Sequence, residues 1–278
     1  MSAVRAGAVV TGAGRGLGRQ IAELLMNRGH TVLVTDVDGA AAEATAAELG
    51  DTAYPRVVDV REHAQVEAAC DEIIARAGRL DTWVNNAGVL VTGPAWDQHP
   101  DQRRMMLEVN ALGTVNGTVA AIDAMRGSGG GHIVNIVSLA GLTAVPGEAV
   151  YSGSKHAALG FSLSTMADLR AAGIKDIDIS CVCPDGIWTP MLHDKLDDPA
   201  SAMSFSGKLL QPEEVVAAVG KVLDKPRLVT PVPRWRGLAA RLGDAVPDLG
   251  LAAVPILAAH GRRTQRKLLA NGGPRTRA

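Results

Sequence analysis

Short apolar, β-branched runs alternate along the chain with longer segments of helical spacing. The runs that predict strands are Ala8–Thr11, Thr31–Thr35, Tyr54–Val58, Thr82–Val84, His132–Val137, Ile177–Val182 and Leu228–Pro231. The segments that predict helices are Gly16–Arg28, Ala40–Leu49, Val66–Ala77, Asp101–Met125, Ala149–Ala171 and Pro212–Leu223. Strands that alternate with helices build βαβ units and a parallel sheet covered on both faces. The pattern therefore predicts one doubly wound α/β domain over residues 1–232.

Two segments interrupt this alternation. Residues 191–210 mix Met, Asp, Pro and Ser, which predicts an irregular, mobile loop. Residues 233–278 follow the last predicted strand and form a C-terminal extension. Within it, the sequence predicts helical pieces over residues 235–270 that break at Pro247 and Pro255.

The C-terminal part of the chain is basic. Residues 225–278 carry 11 Lys and Arg residues against two acids, although the whole chain has a net charge of −1. An apolar stretch, Leu249–Ala259, precedes a group of cations within Arg262–Lys267. This stretch is too short to cross a bilayer, which takes about 20 residues. It could lie at a membrane surface, cover a binding cleft, or pack on a neighbouring subunit.

Composition excludes several classes of protein. Three cysteines, Cys70, Cys181 and Cys183, are too few for a disulfide-dense scaffold, and no second Cys or His pair completes a zinc site. We therefore expect buried thiols and no metal. The N-terminal segment lacks the apolar core of a signal peptide, and no run of about 18 apolar residues predicts a membrane-spanning helix. No set of aromatic side chains for stacking accompanies the basic residues, among which Trp235 stands alone, so the chain is not expected to bind nucleic acid. We expect a cytoplasmic protein.

The loop between the first strand and the first helix is rich in glycine. Gly12, Gly16 and Gly18 fit the spacing G-x-x-x-G-x-G, with Arg15 and Leu17 between them. Glycines let the backbone approach a pyrophosphate, which the free N–H groups and the dipole of a helix N-terminus attract. A flexible turn is the alternative, but a loop that follows a strand and opens a helix is what a dinucleotide site requires.

Asp36 ends the second predicted strand, 18 residues after Gly18. A carboxylate at this position can accept hydrogen bonds from the ribose hydroxyls of adenosine and repel a 2′-phosphate, which favours NAD. Arg15 points the other way, because a guanidinium in the glycine loop could bind the 2′-phosphate of NADP. We expect Asp36 to prevail and NAD to be the cofactor, with NADP as the alternative.

Tyr151 and Lys155 stand four residues apart at the start of a predicted helix. This spacing places both side chains on one helix face. A phenol has an ordinary pKa of about 10, and a nearby ammonium group together with a cationic nicotinamide favours the phenolate and lowers that pKa. The pair predicts a general acid/base that works near neutral pH.

Further motifs accompany these residues in chain order. They are Asp59-Val60, Asn85-Asn86-Ala87-Gly88, Asn110, Ser138 and a Pro184…Thr189 segment. With the glycine loop and the Tyr–Lys pair, they make the chain resemble a short-chain dehydrogenase/reductase over roughly residues 4–232. The resemblance implies a Rossmann-type, doubly wound parallel sheet of about seven strands with helices on both faces.

The resemblance also implies roles for four residues in catalysis. Ser138 would hydrogen-bond the carbonyl or hydroxyl of the substrate. Tyr151 would donate a proton to the carbonyl oxygen in reduction, or remove it in oxidation. Lys155 would bind the nicotinamide ribose and lower the pKa of Tyr151. Asn110 would hold a water molecule that links Lys155 to bulk solvent.

Further residues would contact the cofactor. The resemblance implies that Asp59 and Val60 contact the adenine. It also implies that Asn86, Ala87 and Gly88 line the cofactor and brace the sheet.

The segment beside the nicotinamide departs from the family pattern. The resemblance implies that Pro184 belongs to the cofactor site and that Ile187 and Thr189 contact the carboxamide. The family usually has Pro-Gly where this chain has Pro184-Asp185, so that Gly186 is displaced by one position. We therefore expect the loop beside the nicotinamide to follow a different path in this chain.

These observations predict an NAD(P)-dependent oxidoreductase that interconverts a secondary alcohol and a ketone. Apolar residues of the 191–210 loop suggest a lipophilic small-molecule substrate, unless they merely pack the loop. Two other classes stay open: a non-catalytic dinucleotide-binding regulator, and a protein that acts at a membrane surface through its basic tail. The Asp101–Met125 and Ala149–Ala171 helices are expected to form a homodimer or homotetramer interface, or else to pack only within the monomer.

Overall fold

Parallel strands form the centre of the protein. In this computed structural model, which describes residues 5–273, seven strands make one sheet with the spatial order β3-β2-β1-β4-β5-β6-β7. The strands are β1 Arg5–Thr11, β2 Thr31–Asp36, β3 Ala53–Val57, β4 Gly78–Asn85, β5 Gly131–Ile136, β6 Ile177–Pro184 and β7 Val229–Val232. All six neighbouring pairs are parallel, as the sequence predicts.

Helices connect the strands and cover both faces of the sheet. The α-helices are α1 Gly16–Asn27, α2 Gly39–Leu49, α3 His63–Ala77, α4 Pro100–Leu107, α5 Gly113–Met125, α6 Ala149–Ala171, α7 Pro190–His193, α8 Pro212–Asp224, α9 Arg234–Ala245 and α10 Pro247–Ala270. A π-helical segment spans Glu108–Leu112, and 3-10 segments span Leu139–Gly141 and Pro199–Phe205.

The alternating side chains of β1 show how the two core layers form. Ala8 and Val10 pack with Ile21 of α1 on one face of the sheet. Val9 points to the other face and packs with Ile73 of α3. All five side chains are fully buried. Burial on both faces explains why the strands read as continuous apolar runs, and it confirms the predicted doubly wound fold.

The strand order reverses at β1, whose neighbours are β2 and β4. Ligands of such sheets bind in the crevice at the carboxyl ends of the strands where the order reverses. Thr11 fixes this edge, because its hydroxyl donates to the Val84 carbonyl and accepts from the N–H groups of Asn86 and Ala87 at 3.0 and 3.1 Å.

The long helix predicted over Asp101–Met125 is interrupted. A wider π-helical turn, Glu108–Leu112, separates α4 from α5. The Asn110 side chain bonds both backbone polar groups of Val89, and the Thr114 hydroxyl donates to the Asn110 carbonyl at 2.8 Å. These bonds compensate for the altered helical pattern, and π turns of this kind are frequent at functional sites.

The segment predicted as an irregular loop over residues 191–210 contains local structure. It includes the end of α7 and the 3-10 segment Pro199–Phe205. Leu192, Leu196 and Phe205 are buried together and pack this segment from within. Apolar side chains of this stretch therefore serve partly to pack the loop, which is the less specific of the two predicted roles.

The C-terminal helices α9 and α10 form a hairpin against the main domain. α9 ends at Ala245 and α10 begins at Pro247, so the helical structure is interrupted where the sequence predicts a break. The predicted break at Pro255 is wrong, because α10 continues through this residue. Close backbone packing of Gly250 on α9 and of Gly261 on the 3-10 segment holds the helix although Pro255 lacks an N–H group. Among residues 5–273, no helix is both long and apolar enough to span a membrane.

A buried glutamine fixes α10 to the segment before β7. The side-chain amide of Gln265 donates to the Asp198 carbonyl at 2.8 Å and to the Ser201 hydroxyl at 3.0 Å. Gln265 is 5% exposed. The Ser201 hydroxyl in turn donates to the Lys195 and Asp198 carbonyls, so Gln265 joins α10 to a loop that is already hydrogen-bonded within itself.

Candidate active site

A cleft of about 1100 Å³ opens at the carboxyl edge of the sheet. Its lining includes every predicted cofactor residue: Gly12, Arg15, Gly16, Leu17, Gly18, Asp36, Asp59, Val60, Asn86, Ala87, Gly88, Tyr151, Lys155, Pro184, Ile187 and Thr189. Ser138 also lines the cleft, whereas Asn110 lies behind its wall and is fully buried. The fold thus brings together residues that are up to 177 positions apart in the sequence.

Three predicted catalytic residues meet beside the end of β5. Tyr151 and Lys155 share one face of α6, with the Lys155 Nζ 5.8 Å from the centroid of the phenol ring. The Nζ donates to the Ile136 carbonyl at 3.0 Å, which ties the lysine to β5. Ser138 follows β5 and hydrogen-bonds the Tyr151 side chain. Serine, phenol and ammonium therefore face one small volume of the cleft.

Burial controls the titration of the tyrosine and the lysine. Burial raises the pKa of Tyr151, the nearby Glu148 carboxyl raises it further, and the Ser138 hydrogen bond lowers it. Burial lowers the pKa of Lys155 to about 8. Burial and Glu148 thus favour the neutral phenol in the protein without its cofactor. The lowering of the Tyr151 pKa by the Lys155 ammonium group together with a cationic nicotinamide stays a prediction.

Asn110 joins three parts of the site. Its amide oxygen accepts from the Val89 N–H at 2.8 Å, and its amide nitrogen donates to the Val89 carbonyl at 2.9 Å and to Ser154 Oγ at 3.0 Å. A Cβ atom on Gly88 would come within 3.2 Å of the Asn110 oxygen and 3.6 Å of the Lys155 Nζ. Asn110 therefore lies next to the lysine, and the water that it would hold stays a prediction.

The glycine loop has the conformation that the sequence requires. Gly12 and Gly16 have φ values of +62° and +59°, which favour glycine. The Asn86 amide donates to the Gly12 and Thr11 carbonyls at 2.9 Å and holds the loop against β4. The N-cap residue of α1, Arg15, makes no capping bond, so the first turn of the helix faces the cleft without a side-chain cap.

Two carboxylates line the far end of the cleft. Asp36 accepts the N–H groups of Gly14 and Asp38, each at 3.0 Å, and so fixes the glycine loop. Asp59 pairs with Arg61, whose hydrogen bond holds the pKa of the carboxyl below its usual value. Each Asp36 oxygen can accept a second bond, whereas both Asp59 oxygens already accept two bonds from Arg61.

These donors and acceptors fit a dinucleotide. The uncapped first turn of α1 suits a pyrophosphate, and the Asp36 carboxylate can accept from hydroxyl groups. The contact of Asp59 with the adenine stays a prediction. Among the described residues, no group of three or more His, Cys, Asp or Glu side chains could hold a metal ion. The three cysteines are buried and unpaired, as predicted.

In the segment after β6, Asp185 stands where the family usually has a glycine, and the expected difference in the path of this loop stays a prediction. The Asp185 carboxylate accepts from the Arg236 Nε at 2.8 Å, with the two side chains 8% and 19% exposed. Arg236 also donates to the Ser206 hydroxyl at 3.3 Å. Ile187 pairs as an isolated parallel bridge with Leu210. One guanidinium therefore connects the β6 segment, the following loop and α9.

A further acidic residue in the cleft has no counterpart in the sequence-based predictions. Glu148 lies three residues before Tyr151, is 2% exposed and accepts from the Ser204 hydroxyl. Burial is the main cause that raises the pKa of Glu148 to about 7. The sequence signal for Glu148 is its position three residues before Tyr151, because residues three apart lie close together along a helix.

The C-terminal hairpin contributes the remaining wall. Its cleft-lining residues are Arg236, Ala239, Ala240, Gly243, Asp244, Pro247, Gly250, Leu251, Ala253, Val254 and Leu257. Most of these side chains are small or apolar. The hairpin therefore narrows the cleft on the side of Ser138 and Tyr151 with an apolar surface.

Comparison with known proteins identifies the family. The protein-family model for short chain dehydrogenases matches residues 6–200. The chain belongs to the short-chain dehydrogenase/reductase family. This confirms the resemblance carried by the glycine loop, Tyr151 and Lys155, and it makes the chain an enzyme of that family. The family match ends before α9, so the hairpin lies outside it.

Curated members of the short-chain dehydrogenase/reductase family are similar over most of the chain. Cyclopentanol dehydrogenase of Comamonas sp. is 35% identical over 219 residues, which cover 76% of this chain and 86% of that protein. Estradiol 17-beta-dehydrogenase 11 of Mus musculus is 34% identical over 211 residues, which cover 75% of this chain and 68% of that protein.

Solved structures of short-chain dehydrogenases/reductases share the fold. A member from Burkholderia phymatum in complex with NAD superposes with a TM-score of 0.79 at 27% identity, covering 90% of this chain and 97% of that chain. The 3-ketoacyl-(acyl-carrier-protein) reductase of Brucella melitensis, complexed with NADH, gives a TM-score of 0.72 at 26% identity and covers 82% and 96% of the two chains. Both neighbours contain a nicotinamide dinucleotide.

Proposed function

We propose that this enzyme interconverts a secondary alcohol and a ketone with NAD as its cofactor. The observation that carries the proposal is the meeting of Ser138, Tyr151 and Lys155 in the cleft that also contains the glycine loop. The solved neighbours that contain NAD or NADH support the cofactor. A non-catalytic regulator would need the dinucleotide site but not this group of side chains.

The residues of the chain would handle the proton and the orientation of the substrate. Bound nicotinamide supplies the hydride acceptor or donor, and its positive charge in the oxidised form favours the phenolate. Ser138 would hydrogen-bond the substrate oxygen and hold it beside Tyr151. Tyr151 would remove the hydroxyl proton in oxidation and return it in reduction. Lys155 would bind the ribose and keep the phenol in position.

Asp36 supports NAD over NADP. Its carboxylate lines the cleft at the end of β2 and is held there by Gly14 and Asp38. A 2′-phosphate would bring a second negative charge close to this fixed carboxylate, and Arg15 would have to offset that repulsion. Because Asp36 is fixed by two backbone bonds, we propose that it decides the preference.

The substrate is proposed to be a lipophilic small molecule. Apolar side chains from three parts of the chain line the cleft around the catalytic group, including Met191, Met203, Val254 and Leu257. The dehydrogenases of Comamonas and mouse are named for a cyclic alcohol and a steroid alcohol, which supports this class.

A homo-oligomer is proposed from the surface of the α4–α5 segment. Leu107, Leu112 and Val119 are 47%, 45% and 37% exposed along this segment. Such side chains on a helical surface favour burial against a second copy. The sequence-based expectation of a homodimer or homotetramer and of a cytoplasmic location stays a prediction.

A panel of secondary alcohols and ketones tests the function. Wild-type enzyme should change the absorbance of the nicotinamide band with at least one lipophilic member of the panel. Tyr151→Phe should reduce this rate by at least about a hundredfold, because general acid/base catalysis contributes factors of this size. The variant should still bind NADH, seen as a change in tryptophan fluorescence. Turnover by the variant within tenfold of wild type would contradict the role of Tyr151.

A further inference from the structure

The C-terminal hairpin has an exposed apolar side, here called the outer face. It consists of Trp235, Leu238 and Leu242 on α9, and of Leu249 and Ile256 on α10. These side chains are between 62% and 75% exposed. On each helix they recur at spacings of three, four or seven residues, which places them along one stripe. A large apolar stripe exposed on a soluble domain marks an interaction surface.

The outer face continues into a row of cations. Arg263 and Lys267 follow Ile256 on the same stripe of α10, with Arg262 and Arg266 beside them, and all four are exposed. Two more exposed arginines, Arg234 and Arg241, flank the stripe on α9. The acids of the hairpin, Asp244 and Asp248, are confined to its turn. The surface therefore combines apolar anchors with a strong positive charge.

The other side of the hairpin lines the cleft. Ala240, Gly243, Val254 and Leu257 face the cavity. Arg236 fixes this arrangement, because its bonds to Asp185 and Ser206 attach α9 to the main domain. Whatever contacts the outer face therefore lies one helix layer away from the substrate site.

We propose that the outer face docks onto an anionic lipid membrane. Apolar side chains, one tryptophan and flanking cations on an amphipathic helix are the features that hold a helix in the plane of a bilayer surface. Charge complementarity selects this occupant. In a twofold dimer the same patch contacts itself, so pairing of two outer faces would bring the cations of both copies together.

Docking would bring the bilayer surface within one helix layer of the cleft. A lipophilic alcohol or ketone could then reach the cleft directly from the membrane, a consequence that rests on the proposed function. The docking itself does not depend on catalysis. It stands on the exposed outer face and its charge, so that the two proposals can fail separately.

Vesicle sedimentation tests the docking with the full-length enzyme. The protein should sediment with vesicles of phosphatidylcholine and phosphatidylglycerol at low ionic strength, and should bind vesicles of phosphatidylcholine alone much more weakly. High salt should release it, because surface charges are screened. Failure to bind anionic vesicles at low ionic strength would overturn the proposal.

Two sets of variants separate the apolar and the charged parts. Leu242→Gln with Ile256→Gln should weaken binding to anionic vesicles by at least about tenfold through the loss of buried apolar area. Arg263→Gln with Lys267→Gln should do the same, since each cation near an anionic surface strengthens binding roughly fivefold. None of these four residues lines the cleft, and turnover of a water-soluble substrate should stay unchanged.

Matched controls lie away from the hairpin. Trp96→Gln removes an apolar side chain that is 83% exposed, and Lys221→Gln with Lys225→Gln removes two exposed cations. These variants should bind vesicles as wild type does. Equal loss in the controls, or retention of binding by the outer-face variants, would refute the proposal. A third outcome would also refute the proposal: a wild-type dimer that becomes a monomer in the Leu242→Gln with Ile256→Gln variant. The outer face would then join two copies of the chain.

Discussion

Glu148 places a second titrating group beside the catalytic tyrosine. Its carboxyl is buried, accepts from Ser204 and has a pKa raised to about 7. Near neutral pH it therefore changes from neutral to negative within reach of Tyr151. A negative neighbour disfavours the phenolate, so the ionisation of Glu148 opposes that of the tyrosine.

We predict that Glu148→Gln shifts the pH profile of alcohol oxidation. Glutamine keeps an acceptor for Ser204 but carries no charge, so the pKa of Tyr151 should fall. The alkaline rise of kcat/KM for oxidation should then move to lower pH by about 0.5–1 unit, the size expected for loss of one nearby charge. Exposed Glu43→Gln on α2 is the control and should keep the wild-type profile. An unchanged profile for Glu148→Gln would show that the two groups are not coupled.

Asp36 performs two tasks, and a cofactor experiment has to separate them. We predict that Asp36→Asn lowers the preference for NAD over NADP by about tenfold, which corresponds to about 1.4 kcal/mol. Asparagine retains one acceptor for the glycine loop, whereas alanine would also release Gly14. Asp38→Asn is the control, since Asp38 is the N-cap residue of α2 and asparagine also caps a helix. The measurement is the ratio of the dissociation constants for NAD and NADP in wild type and in each variant. A wild-type preference for NADP would show that Arg15 outweighs Asp36.

At the level of elements, the ion pair between Arg236 and Asp185 attaches the α9–α10 hairpin to the catalytic domain. The pair is mostly buried, and loss of one partner leaves a charge without its counterion. The hairpin and the β6 segment should therefore loosen together when the pair is broken.

We predict that Arg236→Gln raises KM for lipophilic substrates several-fold and lowers Tm by about 2–4 °C, the change that 1 kcal/mol produces in a chain of this size. Trypsin should also cleave the hairpin faster, because a detached helix exposes its backbone. Exposed Arg241→Gln on the same helix should behave as wild type in all three measurements. If Arg236→Gln leaves KM and proteolysis unchanged, the pair does not hold the cleft wall.

Element boundaries show where sequence patterns stop being informative. The strand–helix alternation and the carboxyl-end location of Asp36 follow from short-range periodicity, and so does the sharing of one helix face by Tyr151 and Lys155. The π turn at Glu108–Leu112 does not follow from periodicity, because one wide turn barely alters the spacing of apolar residues. Likewise, the passage of α10 through Pro255 depends on packing at Gly250 and Gly261 that no local pattern encodes.

At the level of the whole molecule, the contacts that shape the substrate side join distant parts of the chain. Asp185 and Arg236 are 51 positions apart, and Glu148 and Ser204 are 56 apart. Their pairing depends on how loops and the hairpin fold over the sheet, so residue types and spacing could not predict it. The glycine loop and Asp36 could be proposed from local pattern, because glycines, a strand end and a helix N-terminus combine there in one short segment. The other cofactor residues followed from the family resemblance, and their contacts stay predictions.

We predict a homo-oligomer in solution. Burial of the exposed apolar side chains of α4 and α5 against a second copy should give a light-scattering mass that is a multiple of 28.8 kDa at micromolar concentration. Leu107→Asp should reduce the mass by placing a charge in the interface, whereas Val57→Asp, on an exposed edge strand, should not. A mass near 28.8 kDa for wild type would refute the prediction.

The bonds of Gln265 give the enzyme a fixed order of completion during synthesis. The dinucleotide half of the cleft consists of strands and helices that leave the ribosome early. The loop around Asp198 and Ser201 gains its amide partner only when α10 has emerged, close to the end of translation. A nascent or C-terminally trimmed chain that stops before Gln265 would therefore have the glycine loop and Asp36 while the loop around Asp198 and Ser201 still lacks its bonds to α10.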